Sequence, residues 1–111
     1  MAAFLWHKVA AISGITAIVA GTFGSHGFKP TDPVYKTVWQ TGNLYHLVHT
    51  SALLVAPYTK RPHLFGSLLT FGIAAFSGTL YVVALTENRK LNKPAPFGGM
   101  SFILAWGSLL F

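Results

Sequence analysis

Long apolar stretches alternate with short polar clusters along this chain. The stretches without a formally charged residue contain 20, 23, 25 and 18 residues, and they cover positions 9–28, 37–59, 62–86 and 94–111. A helix needs about 20 mostly apolar residues to cross the hydrocarbon core of a bilayer. The pattern therefore predicts an all-α fold, an integral membrane four-helix bundle with short loops. We expect a single domain, residues 1–111, with helices over about 3–23, 33–58, 62–86 and 97–111.

Glycine, aspartate and proline mark the predicted helix boundaries. Three glycines at three-residue intervals, Gly21, Gly24 and Gly27, are expected to end the first helix. Asp32 is a favourable N-cap residue, and Pro33 suits the first position of a helix. The second helix is therefore expected to begin at about residue 33.

Small residues recur at four-residue spacing in two of the predicted helices. The first helix carries Ser13, Ala17 and Gly21, and the third carries Ala74 and Gly78. Such a stripe lets a neighbouring helix approach closely, which is how helices pack in lipid. We predict that both stripes are helix-packing surfaces.

Composition supports the membrane interpretation. Of the 111 residues, 52% are hydrophobic and 9% charged, whereas about 25% of residues are charged in an ordinary soluble domain. Mean hydropathy is +0.52. Long helices of a soluble bundle need a polar outer face, which these stretches lack. The absence of cysteine excludes disulfides, thiolate metal sites and thiol catalysis.

The net charge of +6 does not indicate nucleic-acid binding, because the basic residues lie at the ends of the apolar stretches. Lipid headgroups and insertion rules account for them there. Four spans place five basic residues on one side, Lys29, Lys36, Arg89, Lys90 and Lys93, against three on the other, Lys8, Lys60 and Arg61. The positive-inside rule favours the side with five facing the cytoplasm or the mitochondrial matrix.

Acid–base catalysis has few candidate residues here. The only two carboxylates, Asp32 and Glu87, fall at predicted membrane boundaries. This placement argues against paired-carboxylate catalysis, carboxylate di-metal sites and an intramembrane carboxylate that carries protons. We predict that the protein is not an enzyme and has no catalytic residue, no metal site and no cofactor.

A histidine pair is the unusual feature of the second helix. His46 and His49 lie three residues apart, and this spacing predicts that both project from one face. Ionisable groups at membrane depth are costly and usually face the bundle interior. Together with Tyr45, they are the candidate residues for binding a ligand.

Four interpretations of the pair compete. In the first, neutral histidines belong to a structural polar core that holds the helices together, with members His26, His46, His49, Ser77 and Tyr81. The others are a haem or metal site, a quinone or lipid pocket, and a path for protons or solutes. Interhelical hydrogen bonds in membranes contribute roughly 0.6–2 kcal/mol each, enough to fix the register of two helices.

Four local patterns resemble a known family. They are Gly21-Thr22-Phe23-Gly24-Ser25-His26-Gly27, Tyr45-His46-Leu47-Val48-His49, Phe76-Ser77-Gly78-Thr79-Leu80-Tyr81 and Pro96-Phe97-Gly98-Gly99, the last followed by Trp106. In this order they resemble the transmembrane protein 256-like family, small four-helix membrane proteins of bacteria and eukaryotes. The resemblance implies the fold and a membrane location, and no enzymatic activity comes with it.

These observations lead to two expectations of function. In the first, the protein is an accessory or structural subunit that packs against a larger membrane complex, such as a respiratory complex, in the mitochondrial inner membrane. Short loops and the scarcity of carboxylates favour this reading, and the expected partners are lipid and other membrane subunits. In the second, the face carrying His46 and His49 binds a small hydrophobic ligand or cofactor, such as a quinone, a lipid or haem.

Overall fold

Four principal helices form the protein in a computed structural model that describes residues 2–111. Helix α1 is Leu5–His26, α2 is Val34–Leu53, α3 is Pro62–Thr86 and α4 is Ala95–Ser108. Short 3-10 turns cover Ala2–Phe4, Ala56–Tyr58 and Arg89–Asn92, and a π-helical turn, Ile73–Ser77, interrupts α3. The predicted all-α fold is confirmed.

Helix α1 runs further than the glycine pattern predicts. It continues through Gly21 and Gly24 and ends at Gly27, whose N–H donates to the carbonyl of Phe23 over 2.8 Å. The predicted end at about residue 23 was wrong, because only the third of the three glycines ends the helix. The first two serve close packing instead, since a Cβ on Gly24 would overlap the indole ring of Trp39.

Helix α2 starts close to the predicted position and ends earlier. The Asp32 carboxylate accepts the Val34 N–H over 3.0 Å, which satisfies one free donor of the first turn. The helix stops at Leu53, not at residue 58 as predicted. Pro57 accounts for the difference, because its ring would clash with the Leu53 carbonyl in a continuing helix.

The limits of α3 and α4 lie within three residues of the predicted ones. Helix α3 has the predicted limits. Helix α4 starts at Ala95, before the predicted residue 97, and ends at Ser108, before the predicted residue 111.

Helix α2 occupies the centre of the bundle. It runs antiparallel to α1 and α3, which pack on either side of it, and α4 packs against α3. The molecule measures 46 × 25 × 17 Å. Helix α2 lies between α1 and α3, which meet at one end, where the Trp6 indole N–H donates to His63 Nδ1 over 3.3 Å.

Two clusters of buried side chains form the core. One contains Trp6, Leu53, Phe65 and Phe102 and joins all four helices. The other lies towards the opposite end, where Phe28 and Trp39 pack with Ala84. Since the chain crosses between these ends four times, the clusters hold the helices together at both ends.

Within the described residues, α1 and α3 are the helices long and apolar enough to cross a membrane. Helix α4 has 14 residues and reaches about 21 Å at 1.5 Å per residue, less than the roughly 30 Å of a hydrocarbon core. Helix α2 is long enough but carries polar residues. The expectation of four spans thus has direct support from two helices.

The outer surface is apolar along its length. Ile12, Ile15, Phe97 and Ile103 are each at least 65% exposed in the isolated chain. A soluble monomer rarely exposes so many large apolar side chains together. This surface suits hydrocarbon or another protein.

Candidate functional site

One face of α2 carries a polar side chain at nearly every helical turn. These side chains, named here the α2 polar face, are Trp39, Asn43, His46 and Thr50. Spacings of four, three and four residues keep them on one side of the helix. That side faces α1, and the four residues contact it in register.

The first two residues of the α2 polar face, Trp39 and Asn43, hydrogen-bond backbone carbonyls of α1. The Trp39 indole N–H donates to the Ala20 carbonyl over 2.9 Å, and the Asn43 amide Nδ2 donates to the Ala17 carbonyl over 2.8 Å. A carbonyl only accepts, so this contact fixes the orientation of the Asn43 amide. Both bonds cross between helices and set the α1–α2 register.

His46 connects three helices. Its Nδ1 lies 2.9 Å from the Tyr81 hydroxyl of α3, and its Nε2 lies 3.1 Å from the Ser13 hydroxyl of α1. Asn43 Nδ2 also donates to the Tyr81 oxygen over 3.1 Å, so the Tyr81 proton is directed to His46 Nδ1. The His46 proton then resides on Nε2 and points to Ser13, whose Oγ lies 2.6 Å from Thr50 Oγ1.

His49 has a different set of partners. Its Nε2 accepts the Trp106 indole N–H over 3.1 Å, and its Nδ1 donates to the Tyr45 carbonyl over 2.8 Å. Because an indole nitrogen only donates, His49 carries its proton on Nδ1 and is neutral. Its ring stacks on Phe102, with centroids 3.6 Å apart and planes inclined by 13°.

Both histidines are buried on the inner side of α2, but they have different partners and do not form one site. Three residues turn a helix by about 300°, which leaves the side chains about 60° apart. On a central helix this angle directs His46 to α1 and α3, and His49 to α4. All four ring nitrogens are hydrogen-bonded within the chain, which leaves none to ligate a haem iron or bind a quinone.

Two other predicted members of the polar core lie elsewhere. His26 is exposed at the end of α1, so its assignment to the core was wrong. Ser77 is fully buried, but among the described residues its Oγ has no hydrogen-bond partner, and it does not bond either histidine. The π-helical turn that ends at Ser77 directs Tyr81, one turn later, towards His46.

Tyr45 is a packing residue in the structure. It is 40% exposed, and its ring lies 4.7 Å from that of Phe76 between centroids. Its backbone carbonyl, not its hydroxyl, contacts His49.

The two small-residue stripes behave differently. Ser13, Ala17 and Gly21 all face α2, and a Cβ on Gly21 would lie 2.9 Å from Asn43 Oδ1. In contrast, Ala74 is exposed, and a Cβ on Gly78 would meet nothing within 4 Å. No helix among the described residues packs against Ala74 and Gly78, so their predicted role in helix packing stays a prediction.

Sequence reasoning missed the contacts that other glycines make. A Cβ on Gly66 would overlap the Trp6 ring, and one on Gly72 would overlap Phe102. On α4, Gly98 lies against the backbone of α3 at Phe76. It also missed Asn43 and Trp39, although their spacing to His46 and Thr50 was a readable signal for a polar face.

A groove runs between α1 and α3 above the α2 polar face. This α1/α3 groove encloses about 380 Å³, and its lining is almost wholly apolar. Ile12 and Thr16 line one wall, Ile73, Ala74 and Gly78 the other, and His46 lies at its floor. Because the histidine nitrogens are already bonded, the groove offers its occupant shape and apolar surface.

Comparison with known proteins gives a consistent assignment. Residues 20–99 match the family model described as protein of unknown function DUF423. The chain is 36% identical to the UPF0382 membrane protein YwdK of Bacillus subtilis, with 86% of this chain and 85% of that protein covered. It is 31% identical to a UPF0382 membrane protein of Schizosaccharomyces pombe, with 96% and 98% covered. No solved structure matches the chain.

Proposed function

This chain belongs to the DUF423 family of membrane proteins of unknown function, and from that premise we propose that it is a non-catalytic membrane subunit. In this proposal, a transmembrane helix of another membrane protein occupies the α1/α3 groove. Residues 1–111 act as one four-helix domain. The observation that carries the proposal is the α1/α3 groove. It is apolar and uncovered, and the polar side chain at its floor, His46, already has hydrogen-bond partners.

The lining of the groove favours a helix as the occupant. Helices associate in lipid by close packing at small residues, and the wall formed by α3 presents Ala74 and Gly78 without any covering side chain. A polar ligand would require an unpaired donor or acceptor, and His46 has both nitrogens engaged. Small polar ligands are therefore less suited to this groove than an apolar helix.

All four helices cross the membrane in this proposal. The polar groups of α2 are directed at α1, α3 and α4, so α2 exposes few of them to hydrocarbon. Each such group would otherwise cost several kcal/mol in lipid. A central α2 is therefore compatible with a span although its composition is more polar.

A matched pair of substitutions on α1 tests the docking surface. Ile12 and Ile18 are 69% and 65% exposed, and only Ile12 lines the α1/α3 groove. Epitope-tagged chains are extracted from their own membrane in mild detergent and separated by native electrophoresis. The wild type and Ile18→Trp should migrate in a complex much larger than 12 kDa, while Ile12→Trp should return to the free position.

Partner identity comes from the composition of that band. The proposal requires a second membrane protein at constant stoichiometry. If differently tagged copies of this chain alone account for the band, the groove is a self-association surface. If the wild type migrates free, or retained lipid alone accounts for the shift, the subunit proposal fails.

We further assign the protein to the mitochondrial inner membrane when the host is a eukaryote. Support comes from its kinship with bacterial membrane proteins and a yeast one, and from its small size and net charge of +6. Fractionation of mitochondria tests this assignment. Resistance to carbonate extraction and protease protection by an intact inner membrane are expected, and recovery in another organelle would contradict it.

A further inference from the structure

A second groove lies on the other side of the small residues of α3. This groove, named here the basal groove, encloses about 480 Å³ and is mostly apolar, with lining residues Ala74, Gly78, Thr79, Val82, Leu91 and Pro94. Ala74, Gly78 and Val82 follow one another at four-residue spacing, so this wall is about 12 Å long. It leads along α3 from the interior of the membrane to the polar loop that follows.

The open end of the basal groove is strongly basic. Lys90 and Lys93 are exposed there, and the lining residues Leu91 and Pro94 directly follow them. Lys90 lies in a 3-10 turn, where its backbone N–H donates to the Asn88 side chain over 3.0 Å. The turn therefore fixes the backbone from which the Lys90 side chain extends beside the groove.

The acidic side chains of the chain do not compensate this charge. The Glu87 carboxylate accepts the backbone N–H groups of Thr31 and Asp32, both over 3.2 Å. The Asp32 carboxylate accepts the N–H of Val34. These are the only two carboxylate side chains in the sequence, and both are turned to the loop between α1 and α2.

We propose that the basal groove binds an anionic phospholipid. One acyl chain lies along Thr79, Val82 and Leu91, which line the basal groove and not the α1/α3 groove, and the phosphate lies between Lys90 and Lys93. The volume falls in the range of small-molecule sites, and basic pockets at the ends of spans attract anionic headgroups. The positive-inside rule also directs this loop to the leaflet surface that attracts basic segments.

The headgroup half is tested on the full-length chain purified in a neutral detergent. Phosphatidylglycerol and phosphatidylcholine are added as probes, and retained lipid is counted by native mass spectrometry. The wild type should retain phosphatidylglycerol in preference. The double variant Lys90→Gln/Lys93→Gln should lose affinity by about fivefold for each lysine removed.

The matched control removes the same charge at the opposite end of the molecule. Lys60→Gln/Arg61→Gln should retain phosphatidylglycerol like the wild type. Equal loss of phosphatidylglycerol from both double variants would show that net charge alone determines retention, and it would overturn the proposed site. Equal retention of the two lipids by the wild type would overturn it as well.

The acyl-chain half is tested by filling the groove. Val82 lines the groove and is 47% exposed, whereas Ile103 on α4 is 65% exposed and lies outside it. Val82→Trp should lower phosphatidylglycerol retention at least tenfold, and Ile103→Trp should not change it. Circular dichroism of both variants without lipid must match the wild type, which separates blocked binding from misfolding.

A free anion is the competing source of the same phosphate chemistry. Millimolar inorganic phosphate should fail to displace phosphatidylglycerol, because the apolar groove contributes to binding of the lipid alone. Displacement by phosphate, or unchanged binding in Val82→Trp, would show a surface anion site and overturn the proposal.

Discussion

His46 is the residue on which the interior polar network depends. Its Nδ1 accepts a hydrogen bond from the Tyr81 hydroxyl, and its Nε2–H donates to the Ser13 hydroxyl. One imidazole therefore joins α1, α2 and α3. His49, in contrast, donates from Nδ1 and accepts on Nε2. Two histidines three residues apart are thus held in opposite neutral tautomers by their partners.

Replacement of His46 distinguishes a structural role from a ligand-binding one. His46→Leu should lower the free energy of unfolding by about 1–3 kcal/mol, because it leaves the Tyr81 and Ser13 hydroxyls without this partner. His46→Gln should keep much of the stability, since an amide both donates and accepts. Thermal unfolding in detergent measures the difference, and equal losses in the two variants would contradict the structural role.

Ala17 tests the contact between α1 and α2. It is 0% exposed and its carbonyl accepts from Asn43, whereas the neighbouring Ile18 is 65% exposed. Ala17→Leu should destabilise the protein by about 1–3 kcal/mol through overpacking, and Ile18→Leu should change stability by less than about 0.5 kcal/mol. Equal unfolding midpoints for these two variants would remove the argument for close packing at this stripe.

Helices α3 and α4 pack closely at glycine residues and do not share a row of hydrogen bonds like the one between α1 and α2. Gly98 approaches the backbone of Phe76, and Gly72 approaches the Phe102 ring and the Gly98 carbonyl. One hydrogen bond, from Ser101 Oγ to the Leu68 carbonyl over 2.6 Å, accompanies the contact. Close backbone approach is thus the main determinant of this interface, as is common for helices in lipid.

Gly98→Ala is therefore expected to separate α4 from α3. Its Cβ would overlap backbone atoms of Phe76 and Ala75, which cannot move as a flexible side chain can. We expect a loss of about 2–3 kcal/mol in stability. Gly99→Ala is the matched control, because the nearest atom to its Cβ would be 4.0 Å away, and replacing glycine within a helix is otherwise favourable by up to about 1 kcal/mol.

Chemical denaturation in detergent, followed by tryptophan fluorescence, compares the two variants. Trp106 on α4 donates to His49 of α2, so separation of α4 changes its emission, while Trp6 and Trp39 report the rest of the bundle in the same signal. A shift as large in Gly99→Ala as in Gly98→Ala would contradict the packing argument.

The sequence predicted contacts within one helix pair better than contacts between distant helices. Ser13, Ala17 and Gly21 were found because four-residue spacing on α1 defines one face, and that face meets α2. No described helix covers the same spacing at Ala74 and Gly78, and a stripe alone does not show whether a neighbour covers it. Gly98 was missed because its contact depends on the register of α4 against α3, which no spacing within one helix contains.

The candidate site was also predicted only in part, because its contacts depend on how neighbouring helices pack. Tyr81 was expected beside His46, and this pairing follows from the need to satisfy a buried imidazole. Ser77 was equally plausible by composition, but the π-helical turn directs it elsewhere. Such a local change of helix type leaves little trace in a run of small and apolar residues.

At the scale of the molecule, the number of membrane crossings is the property on which orientation depends. Helices α1 and α2 are antiparallel, with Ala20 beside Trp39 at one end and His7 beside Leu54 at the other. If both cross the bilayer, the segments after α1 and after α2 lie on opposite sides. If only α1 and α3 crossed, these two segments would lie on the same side and α1 and α3 would run in opposite directions, unlike the parallel α1 and α3 of this bundle.

The natural absence of cysteine allows a direct measurement of this arrangement. Lys29 and Lys60 are exposed at opposite ends of the molecule, so Lys29→Cys and Lys60→Cys each introduce one thiol at a loop. With four spans, a membrane-impermeant maleimide added to sealed, oriented vesicles should label one of the two variants and not the other. Position 29 should be the one accessible from the cytoplasmic or matrix side, because its loop lies with the more basic end. Labelling of both variants from the same side, with full labelling of each after detergent as the control, would contradict four spans and the antiparallel packing of α2 on α1.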